Sequence, residues 1–247
     1  MDFVDKVALV TGAASPIGKA ICDRLIKGGA KLAIADVDAE ALRAYGAVSA
    51  PDALQFCGDL SEEAVASDLV AQTRSTFGRI DILVNNAGGG VVIPTSEHTA
   101  ETIKRTIDRN LWTTLWCTVP TLPIMVEQNY GRIINIGADS VRNGLWMHAI
   151  YNAAKGGVHA LVTGLAREYA EYDITANVVA PCMVETPLVA LERSKGNPWV
   201  QRMESVIPKG RSAQPDEIAS MVAYLASDEA RFVTGQVISV NGGSTML

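Results

Sequence analysis

Tyr151 and Lys155 stand four positions apart in Tyr151-Asn152-Ala153-Ala154-Lys155. On a helix such a pair shares one face. An ammonium beside a phenol stabilises the phenolate and lowers the tyrosine pKa from its usual ~10. Tyr151 is thereby a candidate general acid and base for interconverting a hydroxyl and a carbonyl. The same spacing is common on solvated helices, so the pair gains meaning only from what the rest of the chain places beside it.

A glycine-bearing turn is the first such feature. Thr11-Gly12-Ala13-Ala14-Ser15-Pro16-Ile17-Gly18 follows the apolar run Lys6–Thr11 and opens a helical pattern. Glycines at such a turn let the backbone approach a pyrophosphate, and the helix N-terminus offers free N–H groups. Gly12, Ser15, Ile17 and Gly18 are therefore candidate dinucleotide contacts. Asp36 ends the next strand pattern, 24 residues after Gly12. A carboxylate there accepts both ribose hydroxyls of NAD and repels the 2′-phosphate of NADP; a plain turn aspartate is the alternative. No arginine follows Asp36 directly, and Ser15 rather than a basic residue sits in the turn, so NAD is the expected cofactor. Asp59 and Leu60 follow the third strand pattern, where Asp59 reads either as an adenine contact or as a cap for the helix beginning at Ser61. Asn85-Asn86-Ala87-Gly88 follows the fourth, with Gly89 and Gly90 after it. Asn86, Ala87 and Gly88 suit a chain passing close to a ligand.

The elements that must position these residues alternate along the chain. Apolar runs at Lys6–Thr11, Lys31–Asp36, Leu54–Cys57, Ile80–Asn85, Arg132–Gly137, Ile174–Ala180 and Gln236–Val240 are separated by helical patterns such as Pro16–Gly28 and Asn152–Glu171. The central runs are almost continuously apolar, as in strands covered on both faces of a parallel sheet. Repeated β–helix–β units with short connections predict a doubly wound α/β fold. No linker or repeat divides the 247 residues, so one dinucleotide-binding catalytic domain over 1–247 is expected, with 187–211 as a substrate-loop segment. Net charge is −6 and there is no basic run, which argues against nucleic-acid binding. Cys22, Cys57, Cys117 and Cys182 lack ligand spacing and read as buried reduced thiols, with no metal site. The opening MDFVDKVALVTG leads directly into a strand pattern, and no apolar run reaches ~18 residues. A cytoplasmic protein without a membrane partner is expected.

Taken together, the TGxxx(P)IG turn, Asp36, NNAG, Asn110, YNAAK, the Ala180-Pro181 loop and the closing TGQVISVNGG resemble the short-chain dehydrogenase/reductase family, in order and over essentially the whole chain. The resemblance implies a Rossmann fold with a seven-stranded parallel sheet, helices on both faces, and a homotetramer. It implies that Tyr151 exchanges a proton with the substrate oxygen. Lys155 would bind the nicotinamide ribose and depress the tyrosine pKa, and Asn110 would hold a water linking Lys155 to solvent. Pro181, Val184 and Thr186 would lie at the carboxamide end of the nicotinamide. Three positions depart from the family pattern. Pro16 replaces a turn glycine and removes an N–H, Cys182 replaces the glycine after Pro181, and Ala138 occupies the place of the substrate-orienting serine. Ser140 is the candidate substitute if the chain turns it inward; a water, a substrate hydroxyl or His148 are the alternatives.

The expected substrate pocket draws on residues 139–150, on Met183–Arg211 and on the Gly88–Pro94 loop. Leu145, Trp146, Met147, His148, Leu188, Trp199 and Met203 make it apolar, with Arg193, Lys195 and Arg202 nearby. That mixture suits a small apolar or cyclic secondary alcohol or ketone, with an anionic group. The run NIGADSVRNGLWMHAIYNAAKGG loosely resembles dehydrogenases of cis-dihydrodiols and cyclic hydroxy-acids. The alternatives are a 3-oxoacyl-thioester reductase and, in another class, a catalytically silent NAD-binding scaffold. Asp36 and the absence of basic residues in Glu127-Gln128-Asn129 speak against the first, and the intact Tyr151, Lys155 and Asn110 against the second.

Overall fold

A computed structural model describes residues 1–246. Seven strands, β1 (Val7–Thr11), β2 (Lys31–Asp36), β3 (Leu54–Cys57), β4 (Ile82–Asn85), β5 (Gly131–Ile136), β6 (Ile174–Pro181) and β7 (Val237–Val240), form one sheet in the order β3-β2-β1-β4-β5-β6-β7. Every pairing is parallel. The helices are α1 (Pro16–Lys27), α2 (Ala39–Ser49), α3 (Glu63–Phe77), α4 (Ala100–Ile107), α5 (Thr113–Gln128), α6 (Ser140–Asn143), α7 (Ala149–Glu168), α8 (Pro187–Ser194), α9 (Pro198–Ser205) and α10 (Pro215–Ala226).

Each central strand sends alternate side chains to opposite faces, and both faces are covered. Val10, Val84, Ile134 and Val179 pack with Ile21 and Leu25 of α1 and Val222 of α10 on one side. Leu9, Leu83, Ile133 and Val178 pack with Leu69 of α3, Met125 of α5 and Val162 of α7 on the other. This double cover explains why β1, β4, β5 and β6 read as unbroken apolar runs. The chain winds in opposite directions from β1 and β4, so the strand order reverses between these neighbours, and loops after their C-terminal ends border a crevice suited to ligands.

The helix expected at Asn152–Glu171 instead runs Ala149–Glu168, and α4 and α5 are joined by a π-helical turn at Asp108–Trp112. Cys22 and Cys117 are buried, but Cys57 is exposed and Cys182 half-buried. Cys57 is the last residue of β3, the edge strand of the sheet. Among the described residues, no helix is long and apolar enough to cross a membrane.

Candidate active site

The glycine turn is built from both sides of the crevice. Gly12 has φ +61°, and a Cβ there would fall 2.9 Å from the Ala87 Cα. A Cβ on Gly18 would sit 2.1 Å from the Gly12 carbonyl oxygen, so the helix starts hard against the turn. The Asn86 side chain clamps the same turn, donating to the Thr11 and Gly12 carbonyls at 3.0 and 2.8 Å. Thr11 Oγ1 in return accepts from the Asn86 and Ala87 N–H groups at 3.1 and 3.0 Å. Pro16 does not disrupt this arrangement. It occupies the first turn of α1, where its missing N–H has no intrahelical partner to lose. Ser15 caps the helix, its Oγ accepting from Gly18 N–H at 3.1 Å.

Asp36, Asp59, Leu60, Asn86 and Gly88 line one cleft of about 300 Å³ with Gly12 and Ser15. The Asp36 carboxylate accepts from the backbone N–H groups of Ala14 at 2.9 Å and Asp38 at 3.1 Å, which fix it beside the glycine turn. Asp59 accepts from Ser61 N–H at 3.0 Å while also lining the cleft. That bond lies in the turn ahead of α3, which begins at Glu63 with Glu62 at its N-cap, so Asp59 does not cap a helix starting at Ser61 and its side chain stays at the cleft wall. Arg109 and Thr113 complete the cleft wall. Neither carries a sequence signature: Arg109 lies within the π turn and Thr113 follows it.

The Tyr151–Lys155 pair sits on α7 beneath the glycines after β4. A Cβ on Gly88 would come within 2.8 Å of Asn110 Oδ1 and 3.2 Å of Lys155 Nζ, and one on Gly90 within 2.7 Å of the Tyr151 ring. Asn110, fully buried, holds this loop: its amide donates to the Gly89 carbonyl at 2.9 Å and accepts from Gly89 N–H at 3.2 Å. Lys155 Nζ donates to the Ile136 carbonyl at 2.7 Å and lies 6.0 Å from the Tyr151 ring centroid. Burial pushes the Tyr151 phenol up to about 12 and the Lys155 ammonium down to about 8. The expected depression of the tyrosine is thus not met in the protein alone. Loss of hydration penalises both charged forms, and it outweighs an ammonium at this separation.

The loop after β5 carries the departure from the family serine. Ala138 is buried, and its N–H donates to His159 Nε2 at 3.2 Å. Asp139, fully buried, accepts from Ser239, Asn241 and Thr245 at 2.8, 3.0 and 2.8 Å, and also from Ser244, which ties the C-terminal segment to this loop. Ser140 does turn inward, at the start of α6. It is buried, and its Oγ donates to Asn152 Oδ1 at 2.6 Å. Neither Asp139 nor His159 was foreseen. A buried, multiply bonded carboxylate cannot be told from a solvated one by type, and His159 stands on the apolar face of its helix with no motif around it.

Tyr151 and Ser140 face a second cavity of about 290 Å³, whose walls include Val92, Leu145, Trp199 and Met203. Ile17, Pro181 and Val184 line it as well, so the glycine turn and the Pro181 loop meet at its inner end. His148 also lines it, with its ring edge-on to Tyr151 at 5.9 Å. Thr186 does not reach the cavity: its hydroxyl caps α8, accepting from Val189 N–H at 3.2 Å. Leu188 points to solvent, 66% exposed, because the face of α8 that carries it turns outward. Arg193 is held by Glu185 and Glu204, and Lys195 by Glu192.

Residues 12–245 match a protein-family model described as enoyl-(acyl carrier protein) reductase. The chain is 54% identical over 246 residues to the 2,3-dihydroxy-2,3-dihydro-p-cumate dehydrogenase of Pseudomonas putida, across 98% of this chain and 95% of that protein. It is 35% identical over 260 residues to the 1,6-dihydroxycyclohexa-2,4-diene-1-carboxylate dehydrogenase of Acinetobacter baylyi, across 98% and 97%. The crystal structure of levodione reductase matches with a TM-score of 0.90 at 34% identity, covering 98% of both chains.

Proposed function

The chain belongs to the short-chain dehydrogenase/reductase family, a family of nicotinamide-dependent oxidoreductases, and we propose that within it the protein is an NAD-dependent dehydrogenase of a cis-diol on a small six-membered ring. This reading rests on the joining, around Gly88 and Gly90, of an Asp36-ended dinucleotide cleft to an apolar cavity whose wall holds Tyr151. The relative at 54% identity, which its name assigns to a ring dihydrodiol, supports it.

The residues fit the dinucleotide. Gly12 and Gly18 keep the turn open to a pyrophosphate, Asp36 is poised for ribose hydroxyls, and Asn86, Ala87 and Gly88 form the floor between the two clefts. Pro181 and Val184 close the inner end. The chemistry the nicotinamide supplies when bound is hydride acceptance. Tyr151 takes the hydroxyl proton of the carbon being oxidised and returns it in the reverse direction. Lys155, anchored on Ile136, holds a positive charge on the same helix face and offsets the phenolate. Asn110, bonded to both the N–H and the carbonyl of Gly89, fixes this loop beside the pair. The apolar walls exclude water from the reacting carbon.

An acyl-thioester reductase fits less well. Asp36 disfavours the 2′-phosphate of NADP, and Glu127-Gln128-Asn129 offers no basic patch for an acidic carrier. The family also suggests a homotetramer built from α4, α5 and α7. Trp112, 38% exposed and stacked on Trp116 at 5.0 Å, and the exposed Val119 give that face apolar surface to cover. The deciding experiment is reduction of NAD⁺ and NADP⁺ by the purified protein with cyclic cis-diols, matched mono-alcohols and hydroxyacyl thioesters. Oxidation of a cis-diol with NAD⁺ is expected; turnover of thioesters alone would overturn the reading.

A further inference from the structure

The substrate cavity contains no cation of its own: among the described residues lining it there is neither arginine nor lysine. Two segments form its outer walls. Leu145 and His148 come from the loop 144–148, and Trp199 and Met203 come from α9. At the surface the Arg202 guanidinium of α9 stacks on the Trp146 ring of the loop, with 3.6 Å between its central carbon and the ring centroid.

That contact is built from both sides. The loop passes through two left-handed residues, Gly144 at φ +67° and Met147 at φ +61°. The second is uncommon for a residue with a side chain. His148 Nδ1 lies 2.6 Å from the Trp146 carbonyl oxygen and steadies the turn that presents the indole. Arg202 differs from the other arginines of the 187–211 segment. Arg193 is bound by Glu185 and Glu204, and Arg211 by Glu217. Arg202 makes no ion pair among the described residues. Stacking engages the flat face of a guanidinium and leaves its rim of N–H donors unused, and that rim matches a carboxylate with two parallel hydrogen bonds.

We propose that Arg202, oriented by Trp146, is the recognition site for a carboxylate on the ring substrate, so that the enzyme selects anionic cyclic diols over neutral ones. This rests on the dehydrogenase reading above, and it names the substrate class within it. Arg202 and Trp146 do not themselves line the cavity, but they adjoin the wall residues Met203 and Leu145 in the chain, so a ring held in this largely apolar cavity would carry a carboxylate outward toward the guanidinium. Lys155 cannot serve this purpose, since it is buried behind the cavity wall and bonded to Ile136.

The test uses two measurements on NAD-loaded protein. The first is calorimetric binding of benzoate and of its neutral counterpart benzyl alcohol, to the native protein and to Arg202→Gln, Arg202→Lys and Trp146→Leu. Native protein should favour benzoate by roughly 10–100-fold, the worth of a charge-assisted hydrogen bond. Arg202→Gln should abolish that preference, Arg202→Lys should restore part of it without the bidentate geometry, and Trp146→Leu should weaken it. The second is the ratio of kcat/KM for a carboxylated and an uncarboxylated cis-dihydrodiol, which should fall by a similar factor in Arg202→Gln, chiefly through KM. Unchanged benzoate preference in Arg202→Gln would overturn the proposal. Failure to oxidise either diol would overturn the dehydrogenase reading instead, and benzoate binding would still decide the role of Arg202.

Discussion

His159 accepts the backbone N–H of Ala138 on its Nε2, at 3.2 Å. The neighbouring N–H groups of Gly137 and Asp139 donate to Val179 and Pro181 on the β6 side. Ala138 N–H faces the other way, beyond the end of β4 at Asn85, where no strand can accept it. A Cβ on Gly137 would lie 2.3 Å from His159 Nε2. The glycine and the imidazole therefore fit one another, and together they set the backbone at the position where the family carries its serine.

Because His159 accepts, it must be neutral. Burial first, then the charges of Arg142 and Lys155, lower its pKa to about 4, with Asp139 opposing them. A folded pKa below the unfolded value of ~6.5 means that the unfolded chain binds the extra proton. This contribution to stability is therefore fully present above pH ~6.5 and is lost as pH falls toward 4. By pH 5 the loss should be about 2 kcal/mol. His159→Gln keeps an acceptor but does not titrate, so its melting temperature should fall less between pH 7 and pH 5 than that of the native protein. His159→Leu, which leaves the Ala138 N–H unpaired, should be destabilised by about 1–3 kcal/mol at pH 7. Parallel calorimetric curves for native protein and His159→Gln over this range would remove the histidine from the account.

Asp36 is held by the Ala14 and Asp38 N–H groups, with its carboxylate fixed at the cleft wall. Asp36→Ala should narrow the preference for NAD⁺ over NADP⁺, measured as the ratio of dissociation constants, by at least tenfold. Asp36→Asn retains acceptance from a backbone N–H without the charge and should fall between. Tighter binding of NADP⁺ than NAD⁺ by the native protein would contradict this role for Asp36.

The sheet was legible in the sequence because a strand covered on both faces leaves nearly continuous apolar residues, and all seven runs became strands within two residues of their expected ends. The glycine turn, Asp36 and the Tyr151–Lys155 pair were legible because each needs a residue type that little else can replace. What was not legible depends on contacts distant along the chain. Asp139 is satisfied by residues about one hundred positions later. Arg109 lines the cleft beside Asp36 from within a π turn, which spacing along the chain does not announce. The raised pKa of Tyr151 is likewise a consequence of burial, which spacing alone does not encode.

Tyr151, pushed up to about 12 by burial, is protonated at neutral pH in the protein alone. Alcohol oxidation needs the phenolate and ketone reduction the phenol, so oxidation should speed up with rising pH while reduction slows. Tyr151→Phe keeps the ring and its packing but removes the titrating oxygen. Turnover should drop at least about 100-fold, with NADH binding retained by fluorescence titration. A Tyr151→Phe enzyme of near-native turnover would require another proton carrier.

Ser140 is expected to take a different role from the serine it stands in for. Its Oγ proton is committed to Asn152 Oδ1 at 2.6 Å, so it faces the cavity as an acceptor. The family serine donates to the oxygen being oxidised, and with Ala138 in its place no side chain does so from that position. A cis-diol has a second hydroxyl, itself a donor, beside the one that gives its proton to Tyr151. Ser140 is placed on the same cavity wall to accept from it, which would orient the ring and leave the reacting oxygen to Tyr151 alone. Ser140→Ala should therefore lower kcat/KM for a cis-diol by roughly 3- to 10-fold more than for the matching mono-alcohol, in keeping with a neutral hydrogen bond. Asn152→Ala frees the serine proton and should narrow the diol preference in the same direction while leaving the hydroxyl in place. Equal losses on both substrates in Ser140→Ala would instead assign Ser140 to the reacting oxygen, and no loss on either would remove it from contact with the substrate.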